Sequence, residues 1–433
     1  MNSQVSAAHS SLSPDKGGSG AAGFAAAPVR GTVSVHIVTY NSEEDIEGCL
    51  DCVLAQSYPL EKIIVLDNAS RDGTVERLRR YEAGLARERE RDLRADRERH
   101  ADSQEQGDEG SRSGSGTALL PSGGNRARLV IIESAVNTGF AGGQNRALAE
   151  AGSDYALVLN PDVRLHPDYV RGLAERLDRM PAAGSAAGML VRQPEGGVGM
   201  PAAGAAEAAG VDAVEVLRAG HAPDAGAPDA GPASPPRALP QAVRAWLDRL
   251  PPEAVIDSTG LSMDAARQAR DRGAGEPASR WLHGGEAFGV SGAAAMYRRS
   301  MMEHVSIEGE FFDETFFAYK EDVDAAWRAE LLGWKSLYAP EARALHARGW
   351  KEGGRSAISL FVRRHSYENR FYTLIKNERS LLNLPAVIAI ETLKAGYIIV
   401  KERDLIPCWK SIWNRIPEMR RKRRELRLKP RRR

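Results

Sequence analysis

Short apolar runs alternate with amphipathic stretches along much of the chain. Val33–Val38 (VSVHIV) has the character of a buried strand, and Ser42 with Asp45 three residues on opens an amphipathic helix reaching about Gln56. Lys62–Leu66 (KIIVL) predicts a second strand that stops abruptly in Asp67-Asn68-Ala69-Ser70, and another helix starts near Thr74. Arg128–Ile132 (RLVII) and Tyr155–Leu159 (YALVL) predict two further strands, with a glycine-rich turn and its helix between them. Val323, Trp327 and Leu331 recur every four residues, so a helix begins just after Glu321-Asp322. That acidic pair falls in the first turn, where the helix dipole favours carboxylates. A strand then ends near His346, and the helix Ser359–Glu378 buries Leu360, Tyr367, Phe371 and Leu374. Buried-type strands alternating with helices predict an α/β fold, a mostly parallel sheet of βαβ units flanked by helices.

Several segments break the pattern. Residues 1–30 are small and polar, without a basic start leading into an apolar run, and read as a disordered leader without a secretory signal. Two insertions interrupt the domain spanning 31–380: the charged and Gly/Ser-rich 84–126, and the Ala/Gly/Pro-rich 193–280. The second has one helix-like part (PQAVRAWLDRL), and both are expected to be peripheral. Residues 381–433 form a helical basic C-terminal region. Its apolar part, Leu381–Val400, carries Pro385, Glu391 and Lys394, which favours an interfacial or core helix over a membrane span.

With 42% hydrophobic and 27% charged residues, the 433-residue chain has the make-up of a soluble globular protein. Its net charge of +1 conceals an asymmetry, because residues 401–433 hold fourteen Lys/Arg against four Asp/Glu. A basic tail of this kind suits an anionic partner such as phospholipid, nucleic acid or a phosphorylated substrate, or else a solvated surface. Three cysteines, Cys49, Cys52 and Cys408, suit a reducing compartment. Cys49 and Cys52 have CxxC spacing but lie inside a helical pattern with no second ligand pair nearby, so a half-buried helical pair is expected.

Ligands of open α/β sheets bind beyond the carboxyl ends of the strands. Three polar clusters fall there: Thr39-Tyr40-Asn41, Asp67-Asn68 and Asn160-Pro161-Asp162. Beside a glycine-rich helix entry they predict a nucleotide pocket in which Asp67 accepts hydrogen bonds from a base. Gly139, Gly142 and Gly143 would let backbone approach the ligand, with Asn145 one turn into the helix. Glycines that serve turn geometry alone are the alternative. Neither GxGxxG nor a P-loop Lys-Ser/Thr is present, which points to a metal handling the diphosphate. Asp162, on a tight turn after a buried strand, is the candidate ligand for Mg2+ or Mn2+.

The stretches VSVHIVTYNSEEDIEGCLDCVLAQSYPLEKIIVLDNASRDGT, NTGFAGGQNRAL, VLNPDV, VSGAAAMYRR and FFDETFFAYKEDVDAAWRAELLGWK, in that order, resemble family 2 glycosyltransferases. The branch they look most like is the rhamnosyltransferase-like group of bacterial surface polysaccharide synthesis. The resemblance implies a GT-A-type, Rossmann-like fold. It also implies inverting transfer of a sugar, with rhamnose the leading donor sugar, from a nucleotide-diphosphate carrier to a glycan or lipid-linked acceptor. By resemblance, Asp67 contacts the base, and Thr39, Tyr40, Asn41, Asn68, Gly139, Gly142, Asn145 and Asn160 surround the donor. Asp162 closes a weakened DxD-like metal motif, and His346 resembles a late histidine near the diphosphate, ordinary surface placement being its alternative. Asp322 matches the general base, with Glu321 beside it and helix capping as the plainer reading. Ser291 and Gly292 match the small-residue block that faces the acceptor.

Trp409, Ile412, Trp413 and Ile416, interleaved with cations, predict a helix lying on an anionic leaflet, and so a cytoplasmic protein peripheral on the inner face of the membrane. Nucleic acid is not an expected partner, because no recognition module is visible. Two other functions compete. A nucleotidyltransferase making an activated sugar would need a different glycine-rich phosphate loop, and a non-catalytic carbohydrate- or membrane-binding scaffold would have no use for both Asp162 and Asp322.

Overall fold

The computed structural model describes residues 31–105, 127–193, 238–347 and 358–432. Expectations about the leader, about 106–126 and about 194–237 lie outside the described residues. The first half of the sheet is the expected parallel array. Strands β1 (Val33–Thr39), β2 (Lys62–Asp67), β3 (Arg128–Glu133) and β4 (Tyr155–Leu159) lie in the order 3-2-1-4. Helices α1 (Ile46–Leu54), α2 (Thr74–Glu105) and α3 (Gly139–Ala149) connect them. The charged run after Gly84 simply continues α2, making it one helix of 32 residues. The proposed Ser42 cap is not used, since α1 starts at Ile46 and Asp45 instead pairs with Arg164 at 2.9 Å.

The second half is mixed. After β5 (Val163–Leu165) and helix α4 (Tyr169–Arg179) comes β6 (Ala183–Arg192). β11 (Ala294–Arg298) inserts antiparallel between β4 and β6, while β12 (Lys335–His346) runs parallel to β6 and antiparallel to β5. An apolar five-residue run encodes burial but not direction, so the reversal at β11 is not readable from periodicity.

Residues 238–280 are built into the domain rather than peripheral to it. Helix α5 (Ala238–Asp248) buries Val243, Trp246 and Leu247, and β7 (Ile256–Ser258) pairs with β6. β8 (Leu261–Met263) and β9 (Ala269–Asp271) form a ribbon, and β10 (Gly285–Ala287) closes the β12 edge. The main core lies between the sheet and helices α1, α4 and α5, around Ile37, Leu157, Leu173 and Trp246. Cys49 and Cys52 are fully buried in α1, deeper than expected.

Beyond α6 (Arg299–Val305) and α7 (Glu321–Leu331), the chain ends in α8 (Leu360–Asn377), α9 (Leu384–Lys401) and α10 (Pro407–Leu428). Phe316, Tyr367, Tyr372, Ile398, Cys408 and Met419 make a separate cluster that seats these helices. The basic tail therefore does not present the expected apolar face outward. Ile412 is buried and the Trp409 indole donates to the Tyr367 hydroxyl at 2.9 Å, leaving Trp413 as the exposed member of the pair.

Candidate active site

The carboxyl ends of β1, β2 and β4 share one sheet edge, with Thr39 paired to Asp67 and Ile37 to Leu159. Thr39 and Asp67 are buried there. Asp67 Oδ1 accepts from Thr39 Oγ1 at 3.0 Å and Ser70 Oγ at 2.5 Å, and its Oδ2 accepts from Ser70 N at 3.0 Å. Its carboxylate thus fastens the loop after β2 to the tip of β1. Tyr40 stands exposed at the rim, and Asn41 sits in the left-handed region at φ 52°.

The glycine-rich turn meets protein where an anion was expected. Gly139 has φ 74°, and a Cβ there would lie 2.3 Å from the Phe317 carbonyl oxygen, so only glycine fits. The amide of Ala141 donates to that same carbonyl at 3.1 Å. Gly142 packs on Thr138, and Gly143 brings α3 against Val38 of β1. Asn68 holds the turn, donating to Asn137 Oδ1 and Gly139 O while accepting from Thr138 N. Asn145 is likewise used as a fastener, exchanging hydrogen bonds with the Phe312 backbone at 2.7 and 3.0 Å. These residues shape the wall of the site and do not form an open phosphate cradle.

Asn160-Pro161-Asp162 leaves the end of β4, and the Asn160 amide donates to the Ala293 carbonyl at 2.8 Å. One residue earlier, the Gly292 amide donates to Asp322 Oδ2 at 3.1 Å. The antiparallel strand missed in the sequence therefore brings Ser291-Gly292, the Asp162 turn and the start of α7 to one edge. Asp322 Oδ1 also accepts from Val323 N at 2.7 Å. Although part of its surface is open, the protein around its carboxyl raises it above the usual carboxylate range, and Asp271 of β9 adds to the shift. Glu321 is buried, and its Oε2 has no hydrogen-bond partner among the described residues. Burial first, then the Asp322 charge, push it up to about 8, so its surroundings favour the neutral form.

The loop entering α7 is strained. Phe317, Tyr319 and Lys320 have φ of 59°, 72° and 69°, each costing about 1–3 kcal/mol for a non-glycine residue. The buried Asn369 amide of α8 holds this loop by donating to the carbonyls of Phe316, Ala318 and Tyr319 at 2.8–2.9 Å.

His346, at the end of β12, is buried rather than on the surface. Its Nε2 faces Asp162 Oδ2 at 3.4 Å, and its Nδ1 bonds Asp257 Oδ2 at 2.7 Å. Burial opposes its charge, but the two carboxylates overcome that and raise it to about 9. Burial would likewise raise Asp162, yet the His346 contact holds it below the usual carboxylate range. Among the described residues no group of three or more His, Cys, Asp or Glu converges on one point. Asp162 and His346 nevertheless fit a small divalent cation. A carboxylate faces an imidazole whose other nitrogen is fixed by a buried acid, the usual way of orienting a ligating histidine. Mg2+ commonly takes one or two protein carboxylates and completes its shell with water and phosphate oxygens. Asp257 was missed because a three-residue strand in an Ala/Gly/Pro-rich segment gives no periodic signal. Asn369 was missed because its partners are backbone atoms distant in sequence.

The pattern of Glycosyl transferase family 2 matches residues 34–101 and 108–209. An N-acetylglucosaminyl-diphospho-decaprenol L-rhamnosyltransferase of Mycobacterium tuberculosis is 28% identical over 244 residues, covering 53% of this chain and 62% of that protein. The chain thus spans less than two thirds of that relative's length. Glycosyltransferase AglE of Haloferax volcanii is 47% identical over 51 residues, 11% of this chain and 17% of that protein. Among solved structures, a mannosyltransferase of Pyrobaculum calidifontis, in complex with GDP-Man and Mn2+, aligns over 90% of this chain and 76% of that chain. Its identity is 16% and its TM-score 0.42.

Proposed function

Because residues 34–101 and 108–209 match glycosyl transferase family 2, we infer that the protein belongs to that family and is an inverting glycosyltransferase. Its reaction moves a sugar from a nucleotide-diphosphate donor to a hydroxyl of a lipid-linked glycan. The name of the Mycobacterium tuberculosis relative supports L-rhamnose as the sugar and a diphospho-polyprenol sugar as the acceptor, and surface polysaccharide synthesis is the setting we propose. The observation that carries the reading is the run of hydrogen bonds that ties the Asn160-Pro161-Asp162 turn, with His346 against Asp162, through Ala293 and Gly292 to the Asp322 carboxylate.

Asp322 is the base. Two backbone amides orient its carboxylate, which takes the proton from the acceptor hydroxyl as that oxygen attacks C1 from the face opposite the leaving group. One displacement inverts the anomeric centre. Glu321 lies buried beside it, where its surroundings favour the neutral form and so disfavour a second negative charge near the attacking oxygen. Tyr40 and Asn41 flank the nucleoside at the rim. Asp67 shapes that wall from behind, and Ser291-Gly292 leave room for the acceptor. Asp162 and His346 would hold Mg2+ or Mn2+, whose charge offsets that building on the departing diphosphate.

The test is a panel of nucleotide sugars with a polyprenyl-diphosphate-sugar acceptor, scored by release of nucleoside diphosphate. The wild type is expected to turn over one donor. Asp322→Asn should lose about 10²–10⁴ in rate while donor binding, measured by calorimetry, stays within a few-fold. Turnover of Asp322→Asn near the wild-type rate removes the assigned base. Absence of release from every donor favours a non-catalytic scaffold.

A further inference from the structure

Helix α9 is apolar on nearly every side yet lies almost wholly outside the core. Only Val387 and Ile398 are buried, whereas Leu382 is 91% exposed, Leu393 70% and Val400 65%, with Leu381 and Ile388 exposed beside them. Soluble surfaces rarely leave a continuous apolar stripe of this length uncovered. The two charges in the segment do not interrupt it. Glu391 turns toward the protein and pairs with Arg370 of α8 at 2.6 Å, and Lys394 closes on Glu391 at 3.2 Å. The outward face from Leu381 to Val400 therefore carries no free charge.

Its ends do carry charge, and of one dominant sign. Arg379 lies exposed before the helix, and Lys401, Arg403 and Lys410 lie exposed after it, against the single exposed acid Asp404. At 1.5 Å per residue the 18-residue helix is about 27 Å long. No helix among the described residues is long and apolar enough to cross a membrane. An apolar helix with cations at both ends has the make-up of one that lies in the plane of an anionic lipid surface, sunk among the acyl chains with its cations at headgroup level.

We propose that α9, and not the basic helix α10, is the membrane-docking element of this protein, lying in the plane of an anionic leaflet. The lipid surface is favoured over a second copy of the chain by the cations that bracket the stripe, since two copies would bring like charges together. Docking there also sets the direction of the site. Arg370, which holds α9, follows Asn369, which fastens the loop leading into Asp322. A lipid-linked acceptor would thus arrive close to the proposed base. That consequence rests on the proposed function, whereas the docking itself does not.

The experiment is flotation of the full chain with vesicles of phosphatidylglycerol and phosphatidylcholine, or of phosphatidylcholine alone, without donor or acceptor. Leu382→Glu/Leu393→Glu alters only exposed side chains of α9 and of the turn that leads into it, and Arg420→Glu/Arg424→Glu alters exposed cations of α10. Near-ultraviolet circular dichroism checks that both variants remain folded. The wild type is expected to bind the anionic vesicles at least tenfold more tightly than phosphatidylcholine. The α9 variant should lose at least tenfold in binding, and the α10 variant less than threefold. Binding that survives in the α9 variant, or that depends chiefly on the α10 cations, overturns the proposal. So does a concentration-dependent dimer in sedimentation that the α9 substitutions abolish while the wild type ignores vesicles. Because no sugar chemistry is measured, failure here leaves the donor assay standing, and the reverse holds as well.

Discussion

Glu321 is a buried acid with an unpartnered oxygen, and this ties the stability of the fold to pH. Its carboxyl lies near 8 in the folded chain against an ordinary 4.5, so the folded state binds the extra proton between those values. Its contribution is fully present below about 4.5 and is lost as pH rises through 8. Denaturant unfolding at pH 5 and pH 8 should therefore show a fall in stability that Glu321→Gln flattens. An equal fall in the variant would assign the effect elsewhere. His346 makes a second residue-level prediction. With both nitrogens facing carboxylates, it must release a proton to ligate a cation. Mn2+ titrations in buffers of different ionisation enthalpy should register that release, and Asp257→Asn should weaken Mn2+ binding about 10–100-fold. Unchanged affinity would leave Asp257 with a purely structural role.

The docking of α8 and α10 onto the domain depends on charges with no access to water. Lys376 of α8 pairs with Asp313 and, at 2.8 Å, with Asp324 of α7, while Lys422 of α10 reaches Asp313 at 2.6 Å. Arg328 and Asn377 complete the shell of Asp324 at 2.9 and 2.8 Å. Removing one partner strands a buried charge, so Lys376→Met should cost about 3–5 kcal/mol in denaturant unfolding. A loss below 1 kcal/mol would mean the cluster relaxes or takes in water. None of this was readable beforehand. Lys422 sits in a run of cations where sequence gives every member the same solvated reading, and only its partner at position 313 singles it out. The elements themselves were far more legible, because β1, β2, β4 and α7 announce themselves by local apolar spacing. What failed was anything set by long-range placement: the reversal of β11, the integration of α5 and β7, and the side of the C-terminal region that remains uncovered. The glycines of α3 belong to the same class. Their spacing signals close approach, but not whether Phe317 or a phosphate does the approaching.

Across the whole molecule, the site belongs to two halves with different organisation. A parallel array contributes Thr39 and Asp67, while the mixed half and the C-terminal helices set Asp322 and its supporting loop. The supports of Asp322 and His346 fall in the second half, where local pattern marks the candidate residues but not their long-range partners Asn369 and Asp257. The cysteines follow the same division. Cys49 and Cys52 lie beneath the sheet and Cys408 beneath α8, all three buried, with Cys52 and Cys408 pushed up to about 12 mainly by burial. Thiols so enclosed are unreactive while their surroundings hold. Alkylation at each would register the opening of its own half, so the native sequence already contains a pair of clocks for the order in which the molecule comes apart.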